Sequence, residues 1–233
     1  MNKILEIKNL SKIYKKTNHG IKNATFDVNA GDFHAFIGEN GAGKTTTIKS
    51  IIGSYYQYDG EILINGINSR DPKSKAIIGY VPEVAIFPEE LTVHQYLKSL
   101  ALLSNIDKSK CEDLIDFYLK KFNIEDLKNE KPHAFSSGQK KKVLLIQALL
   151  HDPQLIILDE PAANLDPTAR YELFAILNEL KNNGKTIFIS SHVLSEIDKY
   201  VDSFTLINKG KVIYSGKKDG SLEKIYYEKV IQN

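Results

Sequence analysis

The run Gly38-Glu39-Asn40-Gly41-Ala42-Gly43-Lys44-Thr45 constrains the fold of this 233-residue chain more than any other stretch. The β-rich segment Phe33 to Ile37 ends in three closely spaced glycines, after which Ile48, Ile51 and Ile52 recur at helical spacing. Strand, glycine loop and helix follow in that order. Gly-x-x-x-x-Gly-Lys-Thr at such a junction is the pattern of a phosphate-binding loop. Glycines let the backbone approach an anion closely, and the N–H groups at the start of the helix bind it. In this chemistry Lys44 reaches the β and γ phosphates and Thr45 offers its hydroxyl to Mg²⁺. Gly38, Asn40, Gly41, Gly43, Lys44, Thr45 and Thr46 are therefore candidates for the phosphate cradle.

A second acidic element stands where an apolar run ends, Leu155-Ile156-Ile157-Leu158-Asp159-Glu160. Asp159 can orient Mg²⁺, and Glu160 can position or deprotonate an attacking water. His192 follows the β-rich segment Thr186 to Ser190, a place from which it can reach a γ phosphate. With Glu160 adjacent to the cradle, hydrolysis is favoured over phosphate transfer to a small acceptor.

Around this centre the pattern predicts an α/β chain. Leu5 to Lys8 and Ala24 to Val28 read as strands before the glycine loop, and Glu61 to Ile64 and Ala76 to Val81 after it. From about residue 92 the pattern becomes helical, with segments 92–104, 109–122 and 138–151. Thr92 with Gln95, and Ser109 with Glu112, match capping boxes. Strands Leu155 to Leu158, Thr186 to Ser190 and Phe204 to Ile207 then alternate with a helix from Pro167, capped by Asp166, whose buried face carries Leu173, Leu177 and Leu180. The expected architecture is a P-loop NTPase core with an N-terminal antiparallel β region and an inserted helical subdomain at about 84–150, in one domain over 1–233.

Composition narrows the function classes. Lys and Arg number 31 against 29 Asp and Glu, and a net charge of +2 supplies no strong field for nucleic acid or anionic lipid. Apolar runs such as Val143 to Ile146 fall far short of the roughly 18 that suggest a membrane span. The alternating N-terminal segment does not match a signal peptide, so a cytoplasmic chain is expected. Cys111 is the one cysteine, with no local motif to activate it. His94, His133 and His151 lack metal-ligand spacing and are expected at caps or surfaces. Lys140, Lys141 and Lys142 are expected on a solvated helix face, and Tyr55, Tyr56 and Tyr58 to pack the helix after the loop against the small β region.

Taken in order, the motifs resemble those of the ATP-binding subunit of an ATP-binding cassette (ABC) transporter over nearly the whole chain. Gly38 to Thr45 resembles Walker A, Phe135-Ser136-Ser137-Gly138-Gln139 the LSGGQ signature, and Leu155 to Pro161 Walker B. Asn164-Leu165-Asp166 resembles the D-loop, and Ser191-His192 the switch histidine. The resemblance implies two such domains enclosing two ATP molecules with Mg²⁺, the cradle of one facing the signature of the other. It implies that Tyr14 stacks on adenine, that Ser136, Gly138 and Gln139 meet ATP across the dimer, and that Asp166 couples the two sites. Glu83 stands where the family often has glutamine, and its carboxylate can accept from water or approach Mg²⁺. Ser137 replaces the usual first glycine of the signature. Val81-Pro82-Glu83 with Leu91-Thr92-Val93 is similar to the branch that powers exporters of drugs, lipids or peptides. The implied partners are a membrane permease on a separate chain and a second ATPase subunit, identical or related, with no nucleic acid; the implied place is the inner face of the cell membrane. The alternative is a non-transport ABC protein whose ATP-gated dimerisation acts on a ribosome or nucleic acid.

Overall fold

A computed structural model of the chain describes residues 2–14 and 19–232. Among the described residues, ten strands lie in two sheets. The first is antiparallel, in the order β2-β1-β4-β5, from β1 (Lys3–Ile13), β2 (Gly20–Asn29), β4 (Asp59–Ile64) and β5 (Ile67–Asn68). The second has the order β10-β9-β3-β8-β7-β6. It contains β3 (Phe33–Ile37), β6 (Ile78–Val81), β7 (Leu155–Leu158), β8 (Thr186–Ser191), β9 (Ser203–Asn208) and β10 (Lys211–Lys217). All its pairings are parallel except that of β10, which closes one edge antiparallel to β9.

Helix α1 (Lys44–Ile51) follows β3. Between β6 and β7 lie α2 (Val93–Leu103), α3 (Lys108–Lys121) and α4 (Ser137–Leu149). After β7 come α5 (Pro167–Asn182), the short α6 (Leu194–Ile197) and α7 (Leu222–Tyr226). Among the described residues, no helix is long and apolar enough to cross a membrane.

The second sheet has apolar residues on both faces, as a covered parallel sheet requires. Side chains alternate across it with period two. Phe36, Leu155, Ile157 and Phe188 face one core, shared with α1 and the antiparallel sheet through Ile48, Ile51, Ile7 and Phe26. Their neighbours Ala35, Ile37, Ile156, Leu158 and Ile189 face the other, shared with α2 to α5 through Leu97, Ile115, Leu145 and Leu177. Alternation along each strand thus holds the antiparallel sheet and the helical region on opposite sides. At about 25 cal/mol per Å² of apolar surface removed from water, these two cores supply the main stabilising term.

The helices begin and end within two residues of the expected bounds, and Thr92 forms its capping box with Gln95. Four expectations fail. Helix α3 starts one residue before Ser109, because Asp107 caps it by accepting from Ser109 N at 2.9 Å; Glu112 turns instead to Lys98 and His94 on α2. Only Ile78–Val81 of the segment from Ala76 is a strand, since Asp71 and Pro72 start a 3₁₀ turn that runs to Ile77. The three lysines form no solvated face: Lys141 is 5 % exposed, on the side of α4 that carries Leu144, Leu145 and Ala148, and Lys142 pairs with Glu172. Tyr58 packs against the first core as expected, whereas Tyr56 is 65 % exposed. His94 meets Glu112, and His151 Nε2 donates to Ile78 O at 2.8 Å.

His34 on β3 is 1 % exposed and carries a directed hydrogen-bond chain. Ser203 Oγ donates to Asp32 Oδ2 at 2.8 Å, so it accepts from His34 Nδ1 at 2.8 Å; Nε2 then accepts from Thr205 Oγ1 at 3.0 Å. The ring is neutral, and burial pushes its pKa down to about 3 from 6.5. Between those values the unfolded chain binds a proton that the folded chain refuses, so stability falls as pH falls. The parent chain is expected to lose up to about 1.4 kcal/mol per pH unit from this site between pH 6 and 5, and His34→Gln to show a correspondingly flatter dependence in urea unfolding. Equal slopes in the two chains would contradict this.

Candidate active site

The loop between β3 and α1 is built around close approach. A Cβ on Gly38 would lie 2.5 Å from Ile207 O, so only glycine fits beneath β9. Gly41 has φ 82° and faces open space, and Gly43, at φ 111°, caps α1 without a side-chain acceptor. The first-turn N–H groups of α1 are thus left for an anion.

Lys44 is 5 % exposed and folds back onto the loop. Its Nζ donates to Gly38 O at 2.6 Å and Glu39 O at 3.1 Å. It also lies 3.0 Å from Glu160 Oε1, an oxygen that is buried and has no hydrogen-bond partner. The ammonium neutralises Glu160 through space without directing an N–H bond at it.

Adjacent parallel strands bring the remaining groups to the same edge, because the carboxyl ends of β3, β7 and β8 lie side by side. Asp159 Oδ1 accepts from Ser190 Oγ at 2.8 Å and from Thr45 Oγ1 at 3.4 Å. The same Ser190 Oγ accepts from Glu160 N at 2.9 Å. Glu160 itself is held at φ 43°, a left-handed conformation that costs a non-glycine residue about 1–3 kcal/mol and that clusters at functional sites. His192 Nδ1 lies 2.9 Å from Glu160 Oε2. A buried hydroxyl bridging two successive acidic residues thus sets both, and Ser190 was not among the expected site residues. Its one sequence signal is a pair of serines closing the apolar run of β8.

A cavity of about 310 Å³ opens on this edge, lined among others by Tyr14, Asn40, Gly41, Gly43, Lys44, Thr45, Thr46, Glu83, Glu160 and His192. Tyr14 stands at its side, Oη 3.3 Å from Thr46 Oγ1, with its ring edge-on to Tyr55. Burial, with Asp159 and Glu83 nearby, pushes the Tyr80 phenol up to about 12. From the C-terminal side, Tyr226 Oη donates to Glu39 Oε1 at 3.3 Å.

Of the expected residues, Gly38 and Asp159 stand behind the lining, bonded to Lys44 and Thr45, and four more lie away from it. Ser136 and Gln139 form a reciprocal capping box at the start of α4, with Gln139 N donating to Ser136 Oγ at 3.3 Å and Ser136 N to Gln139 Oε1 at 3.0 Å. A Cβ on Gly138 would lie 3.1 Å from Ala169 Cβ on α5, where Asp166 Oδ1 accepts from Ala169 N at 3.0 Å. Ser136, Gly138, Gln139 and Asp166 therefore share a second patch where two helix starts meet. Ser137 has ordinary helical φ, so serine in place of glycine causes no backbone strain there.

The donor set fits Mg²⁺. Thr45 and Asp159 converge as hard oxygen donors, and Mg²⁺ is held by one or two such groups plus water and phosphate oxygens. Among the described residues, no cluster of three or more His, Cys, Asp or Glu side chains could hold a metal alone.

The ABC transporter family model matches residues 21–163. An ABC transporter ATP-binding protein of Mycoplasma pneumoniae is 48 % identical over 217 residues, 92 % of this chain and 67 % of its own length. The ABC-type transporter ATP-binding protein EcsA of Bacillus subtilis is 34 % identical over 237 residues, 97 % of this chain and 96 % of its own. A solved ATP-binding subunit of an ABC transporter superposes with a TM-score of 0.87 at 36 % identity, covering 97 % of this chain and 98 % of that one.

The Ser190 bridge generates a stability prediction. Ser190→Ala leaves Glu160 N–H without its partner and is expected to cost about 1–3 kcal/mol, seen as a lower denaturant midpoint at unchanged slope. An unaltered midpoint would show that the bridge does not hold the two acidic residues.

Proposed function

The chain belongs to the ABC transporter family as an ATP-binding subunit with ATPase activity, and from that premise we propose that it closes with a second such subunit around two Mg·ATP to drive a membrane permease on a separate chain. The observation that carries this reading is the division of its site residues into two patches. Lys44, Thr45, Glu160 and His192 line the cavity, whereas Ser136, Gly138, Gln139 and Asp166 sit at the meeting of α4 and α5. One chain leaves the second set without nucleotide, and a second copy supplies it.

Within the cavity Tyr14 stacks on adenine, and the N–H groups of the loop and of α1 take the phosphates. Terminal phosphate oxygens compete for the Lys44 ammonium, which releases Glu160 from its ion pair. Thr45 and Asp159 would hold Mg²⁺, which when bound neutralises charge on the phosphate oxygens. His192 donates to Glu160 Oε2 and leaves Oε1 free to accept from water. As the water oxygen attacks the γ phosphorus, its proton passes to Glu160, and the bond from that phosphorus to the bridging oxygen breaks to give ADP and phosphate.

Closure follows from differential contact, since both copies bind ATP and hydrolysis removes the shared γ phosphate. Asp166 links the two sites, and Glu83, at the cavity wall, links the nucleotide to the permease. The segments Val81-Pro82-Glu83 and Leu91-Thr92-Val93 favour an exporter. The second subunit is an identical or a related chain. The near-balanced charge of +2 favours a protein partner over nucleic acid. Attachment through the permease places the subunit in the cytoplasm at the inner face of the membrane.

Glu160→Gln is expected to lower kcat for phosphate release at least ~100-fold while ATP affinity stays within about threefold. Undiminished turnover would remove Glu160 from its role as base, and a phosphorylated acceptor in place of free phosphate would overturn hydrolysis.

A further inference from the structure

Lys141 is, with Lys44, one of two lysines buried to 5 % exposure among the described residues. It sits one turn into α4, just after the Ser136–Gln139 capping box. Its Nζ donates to Pro82 O and to Glu83 O, both at 3.1 Å. Those carbonyls belong to the segment that leaves β6 and carries the Glu83 side chain to the nucleotide cavity. The hydrogen-bond partners are thus two backbone oxygens of a loop, not a carboxylate.

Burying an ammonium is costly unless its donors are satisfied, and an apolar side chain would sit more cheaply against the neighbouring Leu145 and Leu165. Desolvation lowers the Lys141 pKa to about 8, although Glu83 and Asp159 both act to raise it. The ammonium thus occupies an unfavourable place in order to make those two bonds. Mechanically they join the start of α4 to the wall of the cavity.

We infer that Lys141 is a positioning residue for ATP hydrolysis, tying the start of α4 to the Glu83 backbone so that the patch offered to a second copy and the chain's own cavity wall move as one body. This rests on the proposed function, because the start of α4 matters to catalysis only if it meets another subunit's nucleotide. Lys141 lines no part of the cavity, so its loss acts on turnover more than on nucleotide capture.

The test measures ATPase kinetics and amide hydrogen exchange on the full chain carrying Lys141→Met, Lys141→Gln or Lys141→Arg. The Met variant is expected to lose at least ~10-fold in kcat with KM for ATP within about threefold, and the Arg variant, which keeps charge and donors, to recover to within about threefold of the parent. Exchange at residues 83–85 is expected to quicken in the Met variant while β6 stays protected. In a Glu83→Ala background, which keeps both carbonyls but removes the side chain they position, the Met substitution is expected to cost little more. If the Met variant does not fold, the Gln variant gives the same readings, with a loss between those of Arg and Met. Unchanged kcat in the Met or Gln variant overturns the inference, as does an Arg variant as impaired as Met. Failure of the proposed function shows separately, as a parent chain that releases no phosphate or a Glu160→Gln chain that turns over normally.

Discussion

The phosphate end of this protein is organised by the need to satisfy one buried ammonium. Lys44 is enclosed at the start of α1 and takes Gly38 O and Glu39 O from its own loop and the charge of Glu160 from across the sheet. Each contact demands something of the fold. The loop must curl back on itself, which the glycines allow, and β7 must end beside β3 and β8 so that Glu160 arrives within ion-pair distance. The resting contacts also mark where negative charge is wanted, since γ-phosphate oxygens can replace carbonyls and carboxylate at the same Nζ.

Such an edge is stable only because the sheet behind it is covered on both faces. Alternation in β3, β7 and β8 sends Phe36, Ile157 and Phe188 to one core and Ala35, Ile156 and Ile189 to the other. The first core fixes α1 beneath the loop. The second fixes α4 and α5, whose starts carry Ser136, Gly138, Gln139 and Asp166 to a patch away from the cavity. The separation of that patch from the cavity is thus a consequence of which core each helix joins.

Chemistry carried by local spacing was legible in the sequence. The glycine loop, Glu160 and His192 line one cavity, and Asp159 stands behind it on Thr45. What could not be seen depends on partners distant along the chain. Ser190 acquires its role only when β8 pairs with β7 and its hydroxyl falls between Asp159 and Glu160. Lys141 reads as one of three surface lysines until the register of α4 turns it inward toward Pro82 and Glu83. The cap of α3 was misplaced because Asp107 and Ser109 both suit the position, and the nearby Lys98 and His94 claim Glu112.

The account rests on Lys44 and its loop being the seat of a triphosphate, and calorimetric titration with Mg·ATP tests that most directly. It predicts one nucleotide per chain for the parent and at least ~10-fold weaker binding for Lys44→Ala, as expected when a buried charge-assisted contact is lost. Equal affinity in the two chains, or no binding by the parent, would contradict it.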